Sequence, residues 1–85
     1  MNEHICRVCG LYSEDPPWGE DGTCPNYEYC LCCGVEFGNE DYTIQSVKNY
    51  RREWLNNGSE WFFPKERPIE WNIEEQFKNI SQEFI

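Results

Sequence analysis

Residues 43–58 carry apolar side chains at the spacing of an α-helix. The apolar face consists of Ile44, Val47, Tyr50, Trp54 and Leu55, with Arg51 among them. Asp41 or Thr43 can cap the start, because both side chains accept hydrogen bonds from the free N–H groups of a first turn. Gly58 follows the last apolar residue, as is typical of a helix end. The pattern therefore predicts a helix over residues 43–58.

A second apolar stripe begins after Asn72. The residues that share its face are Ile73, Phe77, Ile80 and Phe84, which recur at helical intervals. Asn72 and Glu75 have the spacing of an N-cap residue and the third residue of a helix, close to a capping box. We therefore expect a second helix that starts at Asn72 and continues toward the C-terminus.

Aromatic residues are concentrated beside and between the two predicted helices. They are Trp54, Trp61, Phe62, Phe63 and Trp71. Such a set could form a stacking platform for a ligand, but aromatic side chains also bury the most area per residue. A small domain needs that buried area, so we expect these residues to form its core.

The N-terminal half contains short strand-like runs beside two pairs of cysteines. Polar and apolar residues alternate over residues 26–29, and Val-Glu-Phe follows the second pair at 35–37. The connecting loop, residues 13–23, contains Pro-Pro and Asp-Gly, which favour turns. Alternation is typical of strands. The pattern predicts a zinc ribbon, in which short antiparallel hairpins carry the cysteines.

One cysteine motif occurs twice. Residues 5–11, Ile-Cys-Arg-Val-Cys-Gly-Leu, recur as residues 29–35, Tyr-Cys-Leu-Cys-Cys-Gly-Val, at an offset of 24. Two residues between cysteines make a tight turn, so that both sulfurs reach one metal ion. Two such turns supply four ligands to one structural Zn²⁺ ion, and the predicted ligands are Cys6, Cys9, Cys30 and Cys33. Four thiolates leave no open coordination position for a substrate.

Three further residues are candidate ligands that we weigh against simpler roles. Cys32 aligns with Val8 in the repeat and is expected to fill space as a small apolar residue, the alternative being a ligand or a redox thiol. Cys24 has no counterpart ligand position and lies in a turn. His4 precedes Cys6 by two residues. Since four thiolates already complete a site, we assign neither Cys24 nor His4 as a ligand.

The chain has 85 residues, which is the size of one domain. We divide it into a zinc ribbon over residues 1–42 and a helical part over residues 43–85. The N-terminal run 1–4 lacks the charge and apolar pattern of a signal peptide, and no apolar run approaches the roughly 20 residues that span a bilayer. We therefore expect a cytoplasmic protein whose thiols bind metal, with a disulfide framework as the alternative.

The charge is strongly acidic, with 16 acidic and 7 basic residues and a net charge of −9. A zinc ion held by four thiolates takes the charge to about −11. A polyanion repels nucleic acid and anionic membrane surfaces. The one basic cluster, Lys48, Arg51 and Arg52, lies beside Glu53. We expect it to pair with nearby acids.

An acidic set with one tryptophan is the candidate partner-binding surface. It comprises Trp18, Glu20, Asp21, Glu40 and Asp41. An aromatic anchor ringed by charge is typical of recognition surfaces. The alternative is that Trp18 packs over the ribbon while the acids are solvated. No histidine or nucleophilic serine accompanies these carboxylates in sequence, so we assign no catalytic residue and expect no enzyme.

The chain resembles a group of small bacterial cysteine-rich proteins, known as CPCC proteins. The likeness lies in residues 17–22, Pro-Trp-Gly-Glu-Asp-Gly, and in the run Cys-Leu-Cys-Cys-Gly-Val-Glu-Phe-Gly at 30–38. An Arg-x-x-Trp helix and a Trp-Phe segment look similar at 51–54 and 61–62. Leu31 stands where those proteins have proline, and Cys24 where serine is expected. The resemblance implies an uncharacterised group in which some acidic members look like immunity proteins that neutralise a toxin.

These observations predict an α+β domain: a zinc-ribbon-like pair of short antiparallel hairpins, followed by two C-terminal helices. We interpret the protein as a zinc-binding, non-enzymatic protein-interaction module, immunity-like and directed at a basic protein partner. The alternatives are a nucleic-acid-associated zinc ribbon and a zinc-dependent enzyme. The sequence leaves the oligomeric state open.

Overall fold

The structure is a computed structural model that describes residues 3–85. Helix α1 spans Ile44–Asn56 and helix α2 spans Ile73–Phe77. Two short 3₁₀ helices, Pro64–Glu66 and Gln82–Phe84, complete the regular elements. Met1 and Asn2 belong to the N-terminal run used to judge a signal peptide, and they lie outside the described residues.

The predicted ribbon of antiparallel hairpins is wrong. Across residues 3–85 there is no β-sheet, and strand pairing is limited to two isolated antiparallel bridges. One bridge joins Ile5 to Tyr12, and the other joins Tyr29 to Glu36. Each bridge closes one cysteine turn without extending into a ladder. The fold is therefore a set of turns and helices around a cysteine cluster, and the α+β class does not describe it.

Local backbone geometry explains why the strands stop. Tyr27 has φ of 58°, in the left-handed region, which interrupts the extended run predicted before the second cysteine pair. The side chain of Asn26 accepts a hydrogen bond from Glu28 N at 2.9 Å and forms a turn there. Beyond the pair, Asn39 N donates to Glu36 O at 3.0 Å and turns the chain again. The alternation of polar and apolar residues was real, but turn chemistry limits each extended run to a few residues.

Helix α1 confirms the helix predicted in this segment, with slightly shorter bounds. Thr43 is the N-cap: its Oγ1 accepts from Ser46 N at 3.0 Å, and Ser46 Oγ accepts from Thr43 N at 3.1 Å. This reciprocal capping box satisfies two backbone donors. Val47 and Trp54 are the buried residues of the helix. The other proposed cap, Asp41, is instead fully buried nearby.

Helix α2 is shorter than predicted. Asn72 caps it as expected, since its side chain accepts from Glu75 N at 3.0 Å, but the helix ends at Phe77. Ser81 then adopts an extended backbone conformation with ψ of 142°, and the chain enters the last 3₁₀ helix. Ile80 and Phe84 are buried nevertheless. Tertiary contacts therefore bury the apolar residues of the stripe without a continuous helix.

The core is built around the cysteines. It joins them to apolar residues from both halves of the chain, namely Val8, Val35, Phe37, Val47, Trp54, Trp61, Ile80 and Phe84. The expectation that the aromatic residues form the core holds for Trp54 and Trp61, and Trp71 is half-buried against them. It does not hold for Phe62 and Phe63, which remain about half exposed.

Of the helices in the described part of the chain, none combines the length and the apolar character needed to cross a membrane.

Candidate metal centre

The first cysteine pair lies in knuckle 1, residues 5–12. Cys6 N donates to Leu11 O at 2.9 Å, and Gly10 N donates to Cys6 O at 3.0 Å. The first bond closes the base of the turn, and the second folds its tip back toward the first cysteine. Both cysteines therefore point to the same side of a tight, hydrogen-bonded loop.

Knuckle 2, residues 29–36, has the same backbone bonds at the same offset of 24. Cys30 N donates to Val35 O at 2.9 Å, and Gly34 N donates to Cys30 O at 3.0 Å. The sequence repeat is thus a structural repeat, in which two equivalent turns each present a pair of thiols to the centre of the molecule.

Glycine is required after the second cysteine of each knuckle. Gly10 has φ of 86° and Gly34 has φ of 80°, in the region that side chains other than glycine rarely adopt. A Cβ on Gly10 would meet the backbone carbonyl of Gln76, and a Cβ on Gly34 would lie 2.8 Å from Phe62 Cδ1. Each glycine therefore allows both the turn and the close approach of a covering segment.

The sulfur atoms of the four predicted ligands form one compact group. The Sγ atoms of Cys6, Cys9, Cys30 and Cys33 lie within 4.8 Å of one another. Between the knuckles, Cys6 and Cys33 are 3.8 Å apart and Cys9 and Cys30 are 3.5 Å apart. A disulfide requires about 2.05 Å. A tetrahedral ion with bonds of about 2.3 Å to sulfur requires about 3.8 Å between sulfurs, so the spacing is that of four ligands around one ion.

The thiols are deeply buried, and their pKa values diverge. Burial raises the pKa of Cys9 and of Cys33 well above the ordinary thiol value. Hydrogen bonds from the neighbouring thiols, and one from the backbone of Cys33, lower the pKa of Cys30 well below it. Binding of one metal ion would require all four thiols as thiolates, and the cation would compensate for their buried negative charge.

Helix α2 and the turn after it cover knuckle 1. Gln76 Nε2 donates to Cys9 O at 2.9 Å and approaches Cys32 Sγ at 3.4 Å. Asn79 Nδ2 donates to Gly10 O at 3.2 Å. These side chains satisfy knuckle carbonyls that would otherwise be buried without a donor.

The segment after α1 covers knuckle 2. Phe62 N donates to Cys32 O and Phe63 N donates to Leu31 O, each at 2.9 Å. From α1 itself, Tyr50 Oη donates to Cys33 O at 3.2 Å, and burial raises the pKa of Tyr50 to about 12. The segment that covers knuckle 2 therefore differs from the one that covers knuckle 1, while α1 contacts both knuckles.

Arg51 connects α1, knuckle 1 and the C-terminal 3₁₀ helix. Its Nε donates to Val8 O at 2.6 Å, and its Nη2 donates to Arg7 O at 2.9 Å and to Phe84 O at 2.6 Å. The guanidinium group binds three backbone carbonyls, which matches its planar array of donors. Of the predicted basic cluster, Arg51 is therefore a structural residue.

The remaining candidate ligands are not members of the four-sulfur group. Cys32 is fully buried in the core, and Cys24 is exposed in the loop. His4 stacks on Tyr12 with ring centroids 5.2 Å apart, and its Nδ1 lies 2.8 Å from Ser13 O. The burial of Cys32 is compatible with a space-filling thiol, and the roles weighed for Cys32 and His4 stay predictions.

The candidate partner-binding set divides into buried and exposed residues. Trp18 and Asp41 are buried, and Trp18 Nε1 donates to Asp41 Oδ2 at 2.8 Å. Glu20, Asp21 and Glu40 are exposed. Trp18 is therefore packed inside the protein, which is the alternative weighed for it, while the three other acids lie on the surface.

Trp18 also takes part in a contact that sequence reasoning missed. The guanidinium carbon of Arg7 lies 4.0 Å from the Trp18 ring centroid and 4.7 Å from that of Phe84. A charged residue inside a cysteine motif gives no sign that it will be enclosed by aromatic rings. Gln76 was missed too, although its place between Glu75 and Phe77 puts it beside the apolar stripe.

No protein-family model, curated protein or solved structure matches this chain. The site is therefore interpreted from its own geometry: four buried cysteines close enough together to bind one metal ion. The resemblance to bacterial cysteine-rich proteins stays a prediction.

Proposed function

We propose that this protein is a non-enzymatic protein-binding module, stabilised by one structural zinc ion and directed at a basic protein partner. The observation that carries the proposal is the group of four buried sulfurs within 4.8 Å of one another. It supports a closed metal site whose role is to hold the fold together.

The donor set favours zinc. Four thiolates in a tetrahedral array suit Zn²⁺ or iron. Zn²⁺ has no redox chemistry and is almost always tetrahedral in structural sites, which fits a purely structural role. In a site of this kind the protein occupies every coordination position, so a substrate has no place at the metal. A structural role follows from that closure.

The charge distribution supports a basic partner. Within residues 3–85 the one ion pair joins Lys78 to Glu75 at 3.1 Å, so most of the 16 acidic residues have no basic partner inside the chain. Arg7 and Arg51 are enclosed by rings or bound to carbonyls. The acidic surface therefore attracts cations from outside and steers a basic partner toward the protein.

A nucleic-acid role has less support. Of the basic cluster, Arg51 is turned inward, and Arg52 donates to Asn49 Oδ1 at 2.9 Å on the helix surface. The two exposed cations that remain, Lys48 and Arg52, leave little charge to neutralise phosphates, on which the affinity of most nucleic-acid binders depends.

The proposal is tested with the metal-loaded protein immobilised at low ionic strength and exposed to lysate of its native cell. We expect elution by salt of one predominant protein of basic isoelectric point. In parallel, fluorescence anisotropy with labelled single- and double-stranded DNA and RNA should show no binding at the same ionic strength. Tight, salt-sensitive binding of an oligonucleotide, with no basic protein recovered, would favour the nucleic-acid alternative instead.

The metal part of the proposal has its own test. Elemental analysis should find about one zinc ion per chain, and the cobalt-substituted protein should show the thiolate-to-metal charge-transfer bands of a four-sulfur site. A spectrum with an exchangeable water ligand would point to a catalytic metal.

A further inference from the structure

Three aromatic rings form a continuous exposed surface. We call Tyr29, Phe62 and Phe63 the aromatic surface; they are 52%, 47% and 49% exposed. The rings of Tyr29 and Phe62 stack with centroids 5.5 Å apart, and those of Phe62 and Phe63 are 5.1 Å apart. Scattered apolar residues on a surface are ordinary, but contiguous ones mark interaction sites.

The aromatic surface is fixed to the metal centre. Tyr29 is the first residue of knuckle 2, and Phe62 N binds the carbonyl of Cys32 inside that knuckle at 2.9 Å. The Phe62 ring lies against Gly34, where a side chain would be only 2.8 Å from Phe62 Cδ1. The rings are therefore positioned before any partner arrives, which lowers the entropic cost of binding.

A groove continues from the aromatic surface. It has a volume of about 560 Å³ and is lined by Leu31, Phe63, Pro64, Lys65 and Glu66. The volume is in the range of sites that hold a few side chains or a small ligand. The rings and the groove together offer an extended apolar strip.

Carboxylates border this strip. Glu36 pairs with Tyr29 across the isolated bridge, and Glu40 Oε1 accepts from Glu36 N at 3.0 Å. Glu66 lies in the groove wall, where Lys65 is the one basic neighbour. Neither Glu36, Glu40 nor Glu66 forms an ion pair within residues 3–85. A partner that covers the rings therefore meets uncompensated negative charge at their edge.

We propose that the aromatic surface and its acidic border bind an arginine-bearing, basic segment of the protein partner. This inference rests on the function proposed above and names the surface that performs it. A guanidinium group stacks on aromatic faces and pairs with carboxylates at its edge, which a lysine ammonium does less well. The same chain places the guanidinium group of its own Arg7 over the rings of Trp18 and Phe84.

Charge argues against a second copy of the chain as the occupant. Each copy carries a net charge of −9 and the same acidic border, so two facing surfaces would repel each other. The same repulsion opposes stacking of nucleic-acid bases on the rings, because their phosphates would lie near the carboxylates.

The experiment uses three capped peptides of equal length, in which glycine alternates with arginine, lysine or glutamate. Each is titrated into the metal-loaded, ¹⁵N-labelled protein at low ionic strength. We expect the arginine peptide to shift the amide signals of residues 29–36 and 61–66, and to bind about threefold more tightly than the lysine peptide. The glutamate peptide should not bind.

The double substitution Phe62→Ser and Phe63→Ser should weaken binding of the arginine peptide about five- to tenfold and remove its advantage over lysine. Tyr42→Ser is the matched control, because Tyr42 is 68% exposed and its ring contacts Trp18 instead, at a tilt of 57°. If the double variant loses the cobalt–thiolate spectrum, Glu36→Gln with Glu40→Gln replaces it. That pair should weaken the arginine and lysine peptides alike and leave the rings intact.

The outcomes separate this inference from the proposed function. Basic peptides that shift only the loop at residues 13–23 would overturn the aromatic surface and leave a basic partner in place. Failure of both basic peptides to bind would overturn the aromatic surface, and the capture experiment described above would then decide the proposed function on its own. Oligonucleotide binding on the same rings, or a dimer in sedimentation that the double variant abolishes, would overturn the assigned occupant.

Discussion

The side-chain amide of Gln76 donates to the carbonyl oxygen of Cys9 at 2.9 Å, across 67 residues of sequence. This bond joins the penultimate residue of α2 to the tip of knuckle 1. On the other knuckle, the Phe62 and Phe63 amides bind Cys32 and Leu31. The C-terminal half therefore braces both knuckles, and α1 contacts each of them, through Tyr50 and Arg51. Stability should depend on residues distant in sequence from any cysteine.

Replacing Gln76 with alanine should lower the free energy of unfolding by about 1–3 kcal/mol, because the buried Cys9 carbonyl loses its donor and Trp71 Nε1 loses its acceptor, Gln76 Oε1. Urea denaturation of the metal-loaded protein measures the change. Gln45→Ala is the control: the side-chain amide of Gln45 is also a donor, to Asn49 Oδ1 at 3.0 Å, but on the exposed face of α1. If the two substitutions lowered the free energy of unfolding equally, the contact of Gln76 with knuckle 1 would stabilise the fold no more than an exposed hydrogen bond does.

Substitution of a ligand cysteine should abolish metal-dependent folding. Cys6→Ser or Cys33→Ser removes one of four thiolates, and structural zinc supplies on the order of 10–16 kcal/mol in small domains. Circular dichroism with elemental analysis should show an unfolded chain without bound metal. Cys24→Ser should retain both fold and metal, since Cys24 is exposed and outside the sulfur group.

Cys32→Ser distinguishes a core residue from a ligand. It should retain one metal ion per chain and lose some stability, because a hydroxyl replaces a thiol that is fully buried beside Gln76. If Cys32→Ser lost the metal and Cys33→Ser retained it, the fourth ligand would be Cys32 and not Cys33.

The repeat could be predicted from the sequence because its geometry is local. Two residues between cysteines and a following glycine define each knuckle, and the four ligands follow from the alignment of the copies. Helix α1 could also be predicted from the sequence, because its apolar spacing and the N-cap residue Thr43 both place a helix in the same segment. The absence of strands could not be predicted, because the left-handed backbone conformation of Tyr27 and the turn at Asn26 override the alternating pattern. The braces depend on contacts between distant segments, which periodicity does not encode.

Gly34→Ala should destabilise the protein more than Gly58→Ala. Both glycines have positive φ, 80° and 99°, so both variants incur backbone strain of roughly 1–2 kcal/mol. Only at Gly34 does the new methyl group meet a close neighbour, Phe62 Cδ1 at 2.8 Å; at Gly58 the nearest atom, Glu60 Cγ, is 3.9 Å away. The difference in melting temperature isolates the contact between knuckle 2 and the aromatic surface. Equal losses would show that Phe62 moves aside without cost.

Asp41→Asn should be destabilising by about 1–3 kcal/mol. The two carboxylate oxygens accept from Trp18 Nε1 at 2.8 Å and from Gly38 N at 2.7 Å. An asparagine supplies one acceptor oxygen, so one of these donors faces an NH₂ group and loses its bond. Urea denaturation at neutral pH measures the loss.

The same pair of proteins reports the ionisation of Asp41. Burial raises the pKa of this carboxyl above 3.8, although hydrogen bonds from Trp18 and Gly38 and the charge of Arg7 oppose the shift. With a raised pKa, the folded state binds the proton more tightly than the unfolded state, so the contribution of Asp41 to stability decreases as pH rises from 3.8 through the raised value. The advantage of the native protein over Asp41→Asn should therefore narrow over that interval. If the stability advantage of the native protein instead increases with pH, the charge of Arg7 and the hydrogen bonds outweigh burial and lower the pKa of Asp41.

Arg51→Lys should cost nearly as much stability as Arg51→Ala. The guanidinium group of Arg51 binds the carbonyls of Val8, Arg7 and Phe84 at 2.6–2.9 Å, and a lysine ammonium cannot reproduce that planar array from one nitrogen. Hydrogen bonds from a charged group contribute about 1.5–3 kcal/mol each, so the loss of one or two should dominate the change. Arg52→Lys is the matched control on the next residue, because Arg52 binds only the exposed Asn49 and a change within about 0.5 kcal/mol is expected. Urea denaturation of the three variants in the metal-loaded form decides the matter. If Arg51→Lys is as stable as the native protein, charge alone holds α1 against knuckle 1 and the three-carbonyl geometry is dispensable.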